Sequence, residues 1–144
     1  MTRVDFYILD RPAAEARLTL ACRLAEKAVN QDYEVLINTQ SDAESARLNE
    51  LLWTFSQGSF LPHRLLGDSA EADHGEPVSI GCGHEPLDGN WDLLINLAAG
   101  IPDFFGRFNR VAELVGAEAS DKAAGRERFR YYRDRGYELH THNV

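Results

Sequence analysis

The sequence predicts an α/β fold built on a parallel sheet with crossover helices. Two observations carry this: a strand-like N-terminus gives way to helical periodicity, and the same pair repeats before residue 56. Arg3 to Leu9 reads as a strand with apolar residues on both faces, as a sheet covered on two sides requires. Asp10 stands where it could cap a helix, with Pro12 tolerated in the first turn. From Ala13 to about Asn30, the residues Leu18, Ala21, Cys22, Ala25, Ala28 and Val29 recur at helical spacing and form a core-facing stripe. Glu34 to Asn38 is a second strand, and about Asp42 to Phe55 a second helix. The polar, turn-rich stretch Gly67 to Pro77 reads as a surface loop. "PVSIG", "DLLINLA" and "RVAELVG" are short strands, and Phe104 to Phe108 supplies a helical turn. Ser120 to Arg135 is the last helix, ended by Gly136, and "YELHTHNV" is a tail or an edge strand.

At 144 residues, with no internal repeat and no long linker, residues 1–144 form one expected domain. That size buries roughly 68–70% of the unfolded surface. No apolar run approaches the roughly 20 residues that cross a bilayer. "MTRVDFYILD" also lacks the long apolar core of a signal peptide, so the expected location is the cytoplasm, with no membrane partner.

Charge is unevenly spread. The formal net charge is -8, yet Asp121 to Arg135 holds six basic residues against three acidic ones. The rest of the chain is therefore at -11, a sign that repels a nucleic-acid backbone and disfavours general DNA binding.

Tests for chemistry are negative. The turn "LDRPAAEA" has no glycine, which removes the loop that cradles a pyrophosphate, and no GxxxxGK[ST] is present. "GCGHEP" is a very weak dinucleotide motif. Cys22 belongs to the apolar face of a helix, while Cys82 near His84 offers a thiol-imidazole pair without a third member. A small cysteine-dependent enzyme is kept as an alternative on that pair alone. His140 and His142 form an HxH pair without a third ligand, and His63 after a proline reads as structural; no metal or cofactor is expected.

Two surfaces look suited to partners. On a helical wheel Leu48, Leu51, Leu52 and Phe55 cluster, whereas Trp53 points about 140–150° away. Trp53 either lies beneath the 67–77 loop or anchors a protein partner together with Phe60. On the last helix Lys122, Arg126, Phe129, Arg130 and Arg133 share a stripe about 100° wide, with Arg128, Tyr131 and Arg135 elsewhere. Glu127 and Asp134 fall off that stripe, so its charge reads as un-neutralised. Either the face is merely solvated, or it holds an anion. An acidic peptide with a hydrophobic C-terminal residue suits arginine forks beside a ring; single-stranded DNA is the competing ligand.

The segments "FYILD", "LLWTF...SFLPH", "DLLINL" and "RERFRYYRDRGYEL", in that order, resemble the chi subunit of bacterial DNA polymerase III, essentially end to end. The resemblance implies a three-layer, mostly parallel, Rossmann-like sheet flanked by helices, without a nucleotide-binding glycine loop and without catalysis. It implies a heterodimer with the psi subunit, which tethers the chain to the clamp-loader complex. It also implies binding to the acidic, Phe-ended C-terminal tail of single-stranded DNA-binding protein (SSB), so that contact with DNA is mainly indirect. By the same resemblance Trp53 and Phe60 meet psi, and Lys122, Arg126, Phe129, Arg130 and Arg133 meet the SSB tail. Phe129 stands where the family has a familiar tyrosine, Arg130 where it has a lysine, and Tyr131 where it has a smaller residue.

Overall fold

The computed structural model describes residues 2–13, 15–54, 61–66, 76–85 and 92–144. In chain order the elements are β1 (Arg3–Ile8), α1 (Ala16–Val29), β2 (Val35–Asn38), α2 (Asp42–Thr54), β3 (His63–Leu65), β4 (Val78–Gly81), β5 (Leu93–Asn96), a 3-10 turn (Phe105–Arg107), β6 (Arg110–Val115), α3 (Ala119–Asp134) and β7 (Glu138–Asn143). Among the described residues seven strands form one sheet in the order β3-β4-β2-β5-β6-β1-β7, and every pairing is parallel. The expected sheet is thus found, all-parallel rather than mostly so. The segment after Gly136 is a full edge strand, in register with β1 from Arg3↔Glu138 to Ile8↔Asn143.

The central strands VLIN, VSIG and LLIN are near-continuous apolar runs because both of their faces are covered. On one face α1 and α2 bury Leu18, Ala21, Cys22, Ala25, Leu48 and Leu52 against Val35, Ile37, Ile80, Ile95 and Leu114. On the other, α3 and the 3-10 turn bury Tyr132, Phe105 and Phe108 against Val4, Phe6, Leu36, Leu94 and Val111. Among the helical stripe residues only Val29 is half-buried, packed at the margin of its cluster. The thiol of Cys22 is fully buried, and burial pushes it up to about 12, so it is an inert core group.

Several boundaries differ from expectation. Helix α1 begins at Ala16, so Pro12 lies outside it and Asp10 does not cap it. Its entry residue is Glu15, at φ 60° with no side-chain cap bond; the Glu15 carboxylate accepts from Arg47 Nη2 on α2 at 2.7 Å instead. The 104–108 segment does form a 3-10 turn. Gly136 adopts φ 78°, the left-handed conformation that ends α3 without a Cβ penalty. Strand β3 has no counterpart in the sequence reading, because three residues are too few for a period to show.

Strand β1 has apolar residues on both faces, as expected, but its second face is mixed: Tyr7 packs on the α1 side, while Arg3 and Asp5 share that face. Helix α1 runs back mainly over β6, β5 and β2; Tyr7 of β1 packs at the margin of its cluster, and Asp5 and Tyr7 share a cleft with Leu24, Lys27 and Ala28 of α1. Arg3, Asp5 and Tyr7 alternate with Val4 and Phe6 of the opposite face. Asp5 is only 2% exposed, yet accepts from Arg3 Nη2 at 3.1 Å and Arg110 Nη2 at 3.0 Å, and pairs with His142 Nε2 of β7 at 3.1 Å. The His142 ring stacks on Tyr7 at 4.7 Å. Charge pairing and stacking help to cover this corner. Burial raises the Asp5 carboxyl, but the bonds from His142, Arg110 and Arg3 outweigh it and hold the group below its usual 3.8. A depressed carboxylate contributes stability above the unfolded value that is lost as pH falls through the folded one. Asp5→Asn will therefore be less stable at neutral pH. Urea unfolding at a series of pH values should show the gap to the parent chain closing below about pH 4; a constant gap would refute the ionic origin.

Candidate functional site

The arginines of α3 divide into two kinds. Gly125, Arg128 and Tyr132 face the sheet. A Cβ on Gly125 would come within 2.9 Å of the Val115 side chain, so glycine lets the helix approach β6 closely. One turn on, Arg128 is 5% exposed and donates from Nε to Glu113 at 2.8 Å and from Nη1 to the Ala99 carbonyl at 3.0 Å. Glu113 also accepts from Tyr132 Oη at 2.6 Å and from Asn96 Nδ2 at 3.0 Å. Asn96 accepts in turn from Asn38 Nδ2 at 3.0 Å, and Asn38 from the Gly83 amide at 2.9 Å. A polar chain thus crosses three neighbouring strands and ends in the helix.

Burial pushes the Glu113 carboxyl upward, against the pull of Arg128, Tyr132 and Asn96. Arg128 and Asn96 offer it only N–H donors and Tyr132 its hydroxyl proton, so the site is shaped around the carboxylate. Burial and the adjacent Glu113 charge also hold the Tyr132 hydroxyl well above its usual value, so it remains a donor. Wheel reasoning put Arg128 off the stripe but could not show that it is buried. The missed signal was Glu113 itself, a carboxylate flanked by the apolar residues of VAELV in the strand RVAELV.

With α3 locked this way, the predicted stripe faces outward over β1 and β7. Arg126, Arg130 and Arg133 are exposed, and Lys122 is half-buried with Nζ donating to the Leu9 carbonyl at 3.1 Å. Phe129 is half-buried, edge-on to Phe6 at 5.3 Å, and belongs to the core cluster with Ile8 and Leu139 at its margin. The stripe is less unbalanced than expected. Glu127 reaches Arg130 at 3.2 Å and Asp134 reaches Arg133 at 3.3 Å, because long side chains span the angular gap on the wheel. Both pairs are exposed and weak. Tyr131 is turned the other way, against Phe105 and beneath the Arg135 guanidinium at 3.6 Å.

At the opposite edge of the sheet Trp53 is 54% exposed, its ring 4.6 Å from that of His63 on β3. His63 is buried and bonded through Nδ1 to the Leu61 carbonyl at 2.7 Å, the structural role expected of it. Two residues along, on the same side of β3, Leu65 is 47% exposed and adds to the apolar surface, invisible in sequence because its strand was. Phe55, Phe60 and most of the 67–77 segment lie outside the described residues.

The remaining candidates carry little chemistry. No hydrogen bond joins Cys82 to His84 among the described residues. His140 pairs with Glu138 at 2.6 Å and His142 with Asp5, and no group of three metal-binding side chains occurs among the described residues. The crevice at the carboxyl ends of β1 and β6, where open α/β sheets hold nucleotides, is lined by Glu15, Glu118 and Asp121 as well as Arg11 and Arg17. Acidic walls do not suit phosphate. Among the described residues no helix is long and apolar enough to cross a membrane.

The family described as DNA polymerase III chi subunit, HolC, matches residues 1–140. The chain belongs to the DNA polymerase III chi subunit family. A DNA polymerase III subunit chi of Pseudomonas aeruginosa is 44% identical over 144 residues, covering 100% of this chain and 98% of that protein. The subunits chi of Haemophilus influenzae and Escherichia coli K12 are 34% and 32% identical, each covering at least 97% of this chain and 96% of the relative. The fold is thus that of a chi-family member with an accessory place in replication.

The two kinds of arginine should separate on stability. Arg128→Ala leaves Glu113 buried without its charge partner and should cost about 3–5 kcal/mol. Arg126→Ala or Arg133→Ala should stay within about 0.5 kcal/mol of the parent. Equilibrium urea unfolding measures both; equal losses for Arg128 and Arg126 would contradict the division.

Proposed function

We propose that the chain is a single-domain, non-catalytic adaptor of the DNA polymerase III clamp-loader complex. In this reading it joins the psi subunit to the acidic C-terminal tail of SSB. The supporting observation is the separation of its two candidate surfaces. Trp53 and Leu65 lie by β3, on the α2 face; the cationic stripe lies by β7, on the α3 face. Six strand spacings of about 4.8 Å put these edges about 29 Å apart. Two partners can therefore be held at once without competing for space.

Psi is assigned to the apolar surface of Trp53 with Phe60, and the SSB tail to Lys122, Arg126, Phe129, Arg130 and Arg133. Arginine forks clamp the carboxylates, while the ring, backed by Phe6, offers an apolar floor to a terminal Phe. Repeated tails on SSB raise the effective concentration of a weak site. Because Phe129 is packed edge-on against the core and the body of the chain is acidic, nucleic acid is the poorer ligand.

A fluorescence titration with an Asp-rich peptide ending in Phe tests the basic surface. Affinity should fall steeply with added salt, and Arg126→Ala should weaken it by about tenfold, or 1.4 kcal/mol. Unchanged affinity, or tighter binding to an oligo-dT of similar length, would overturn the assignment. For the other surface, Trp53→Ala should abolish co-purification with psi while leaving the peptide titration intact; a surviving complex removes Trp53 from that interface.

A further inference from the structure

At the same end of the sheet as the stripe, one backbone edge has no strand partner among the described residues. It is the outer edge of strand β7, the last in the sheet order. The Val144 amide donates to the Ile8 carbonyl at 2.9 Å, and the Val144 carbonyl accepts from the Asp10 amide at 3.3 Å. In a parallel ladder such residues alternate. Glu138, His140 and His142 therefore bond toward β1, and the N–H and C=O groups of Leu139, Thr141 and Asn143 point outward. Natural edges are blunted by lysine, proline or bulges. The sequence ELHTHN contains no lysine or proline, and its register with β1 is unbroken over six residues.

The cations lie on the side of α3 turned toward this end of the sheet. Lys122 reaches the end of β1 at Leu9 and Phe129 packs on Phe6 of β1, so this side of α3 faces β1 and β7, while Tyr131 on the other side meets Phe105. Lys122 to Arg133 spans about 16 Å at 1.5 Å per residue. The six residues of β7 span about the same length at 3.3 Å each. The cationic stripe of α3 and the outward amides of β7, about 13 Å from Leu139 to Asn143, are thus of comparable length, on the side of the sheet where Phe129, Ile8 and Leu139 pack against one core cluster.

We propose that the acidic peptide binds as an eighth strand on the outer edge of β7, its backbone paired with Leu139, Thr141 and Asn143 and its carboxylates turned toward the α3 stripe. This rests on the reading of the stripe as an acidic-peptide site, and supplies the backbone half of recognition that side chains alone lack. Arginine clamps select charge, whereas strand addition selects an extended chain, which a folded acidic surface or an oligonucleotide cannot offer.

The full chain and the Asp-rich, Phe-ended peptide provide the test. On binding, the amides of Leu139, Thr141 and Asn143 should gain hydrogen-exchange protection, whereas those of His140 and His142 are already protected in the free chain. N-methylation of alternate peptide amides should weaken binding at least tenfold in one phase and little in the other. Thr141→Pro removes an outward amide at a position an edge strand tolerates, and should weaken the peptide similarly. If the peptide binds but neither methylation phase matters and the three amides stay unprotected, strand addition is wrong and the side-chain clamp stands. If the unmodified peptide does not bind, the stripe assignment and the strand fall together. Protection of the three amides before peptide is added, with dimers in sedimentation, would assign the edge to a second copy instead.

Discussion

The buried pair of Glu113 and Arg128 is the constraint on which the orientation of the cationic face of α3 depends. A charge in the middle of β6 cannot be left alone at 0% exposure, and the structure answers it with Arg128, Tyr132 and Asn96. Because two of those three groups belong to α3, the helix can take only one roll about its axis. The same roll turns Arg126, Arg130 and Arg133 to solvent and lays Phe129 on Phe6. A hydrophobic pair in place of Glu113 and Arg128 would supply burial energy but little angular preference. The directional bonds are what make the outer stripe a fixed array. Their extension through Asn96 and Asn38 to Gly83 ties the loops after β4 and β5 into the same lattice.

The topology explains why there are two surfaces and why they lie apart. The crossover from β6 passes over β1 to reach β7, which sets α3 above one end of the sheet. The crossover from β2 passes over β4 to reach β3 and sets α2 above the other end, on the opposite face. Each terminal strand thus has one helix beside it, and each of those helices carries one group of the wrong polarity for its surroundings: a tryptophan in water on α2, and a row of cations on an acidic molecule on α3.

Much of the fold was legible in the sequence because its signals are periodic. The α1 stripe, the C-terminal glycine of α3 and the apolar strands all follow from local rules and all appear in the structure. What escaped was whatever depends on a distant neighbour. Strand β3 is too short to have a period, and Leu65 was lost with it. The cap at Asp10 was plausible locally but is displaced by a contact between Glu15 and Arg47, residues 32 apart. The place of Asp5 on β1 is legible only once its partners Arg110 on β6 and His142 on β7 are known. In the same way the stripe was correct in angle while its neutralising partners were misjudged, since a wheel projects side chains as points and ignores their reach.

Five arginines within ten residues, Arg126 to Arg135, have separate fates, and composition alone cannot assign them. Arg128 completes a buried ion pair, and Arg135 covers a tyrosine ring. Arg130 and Arg133 keep loose acidic neighbours, whereas no ion pair holds Arg126 among the described residues. That gradation suits a site for a flexible anionic chain. A guanidinium already committed to strong partners would have to lose them on binding, while weak, solvent-exposed pairs are exchanged at small cost. The helix therefore spends its strongest electrostatic bond on its own position and leaves its outward cations weakly held. An acidic chain with a net charge of -8 can keep such a cluster because the period of the helix sorts it, residue by residue, into scaffold and surface.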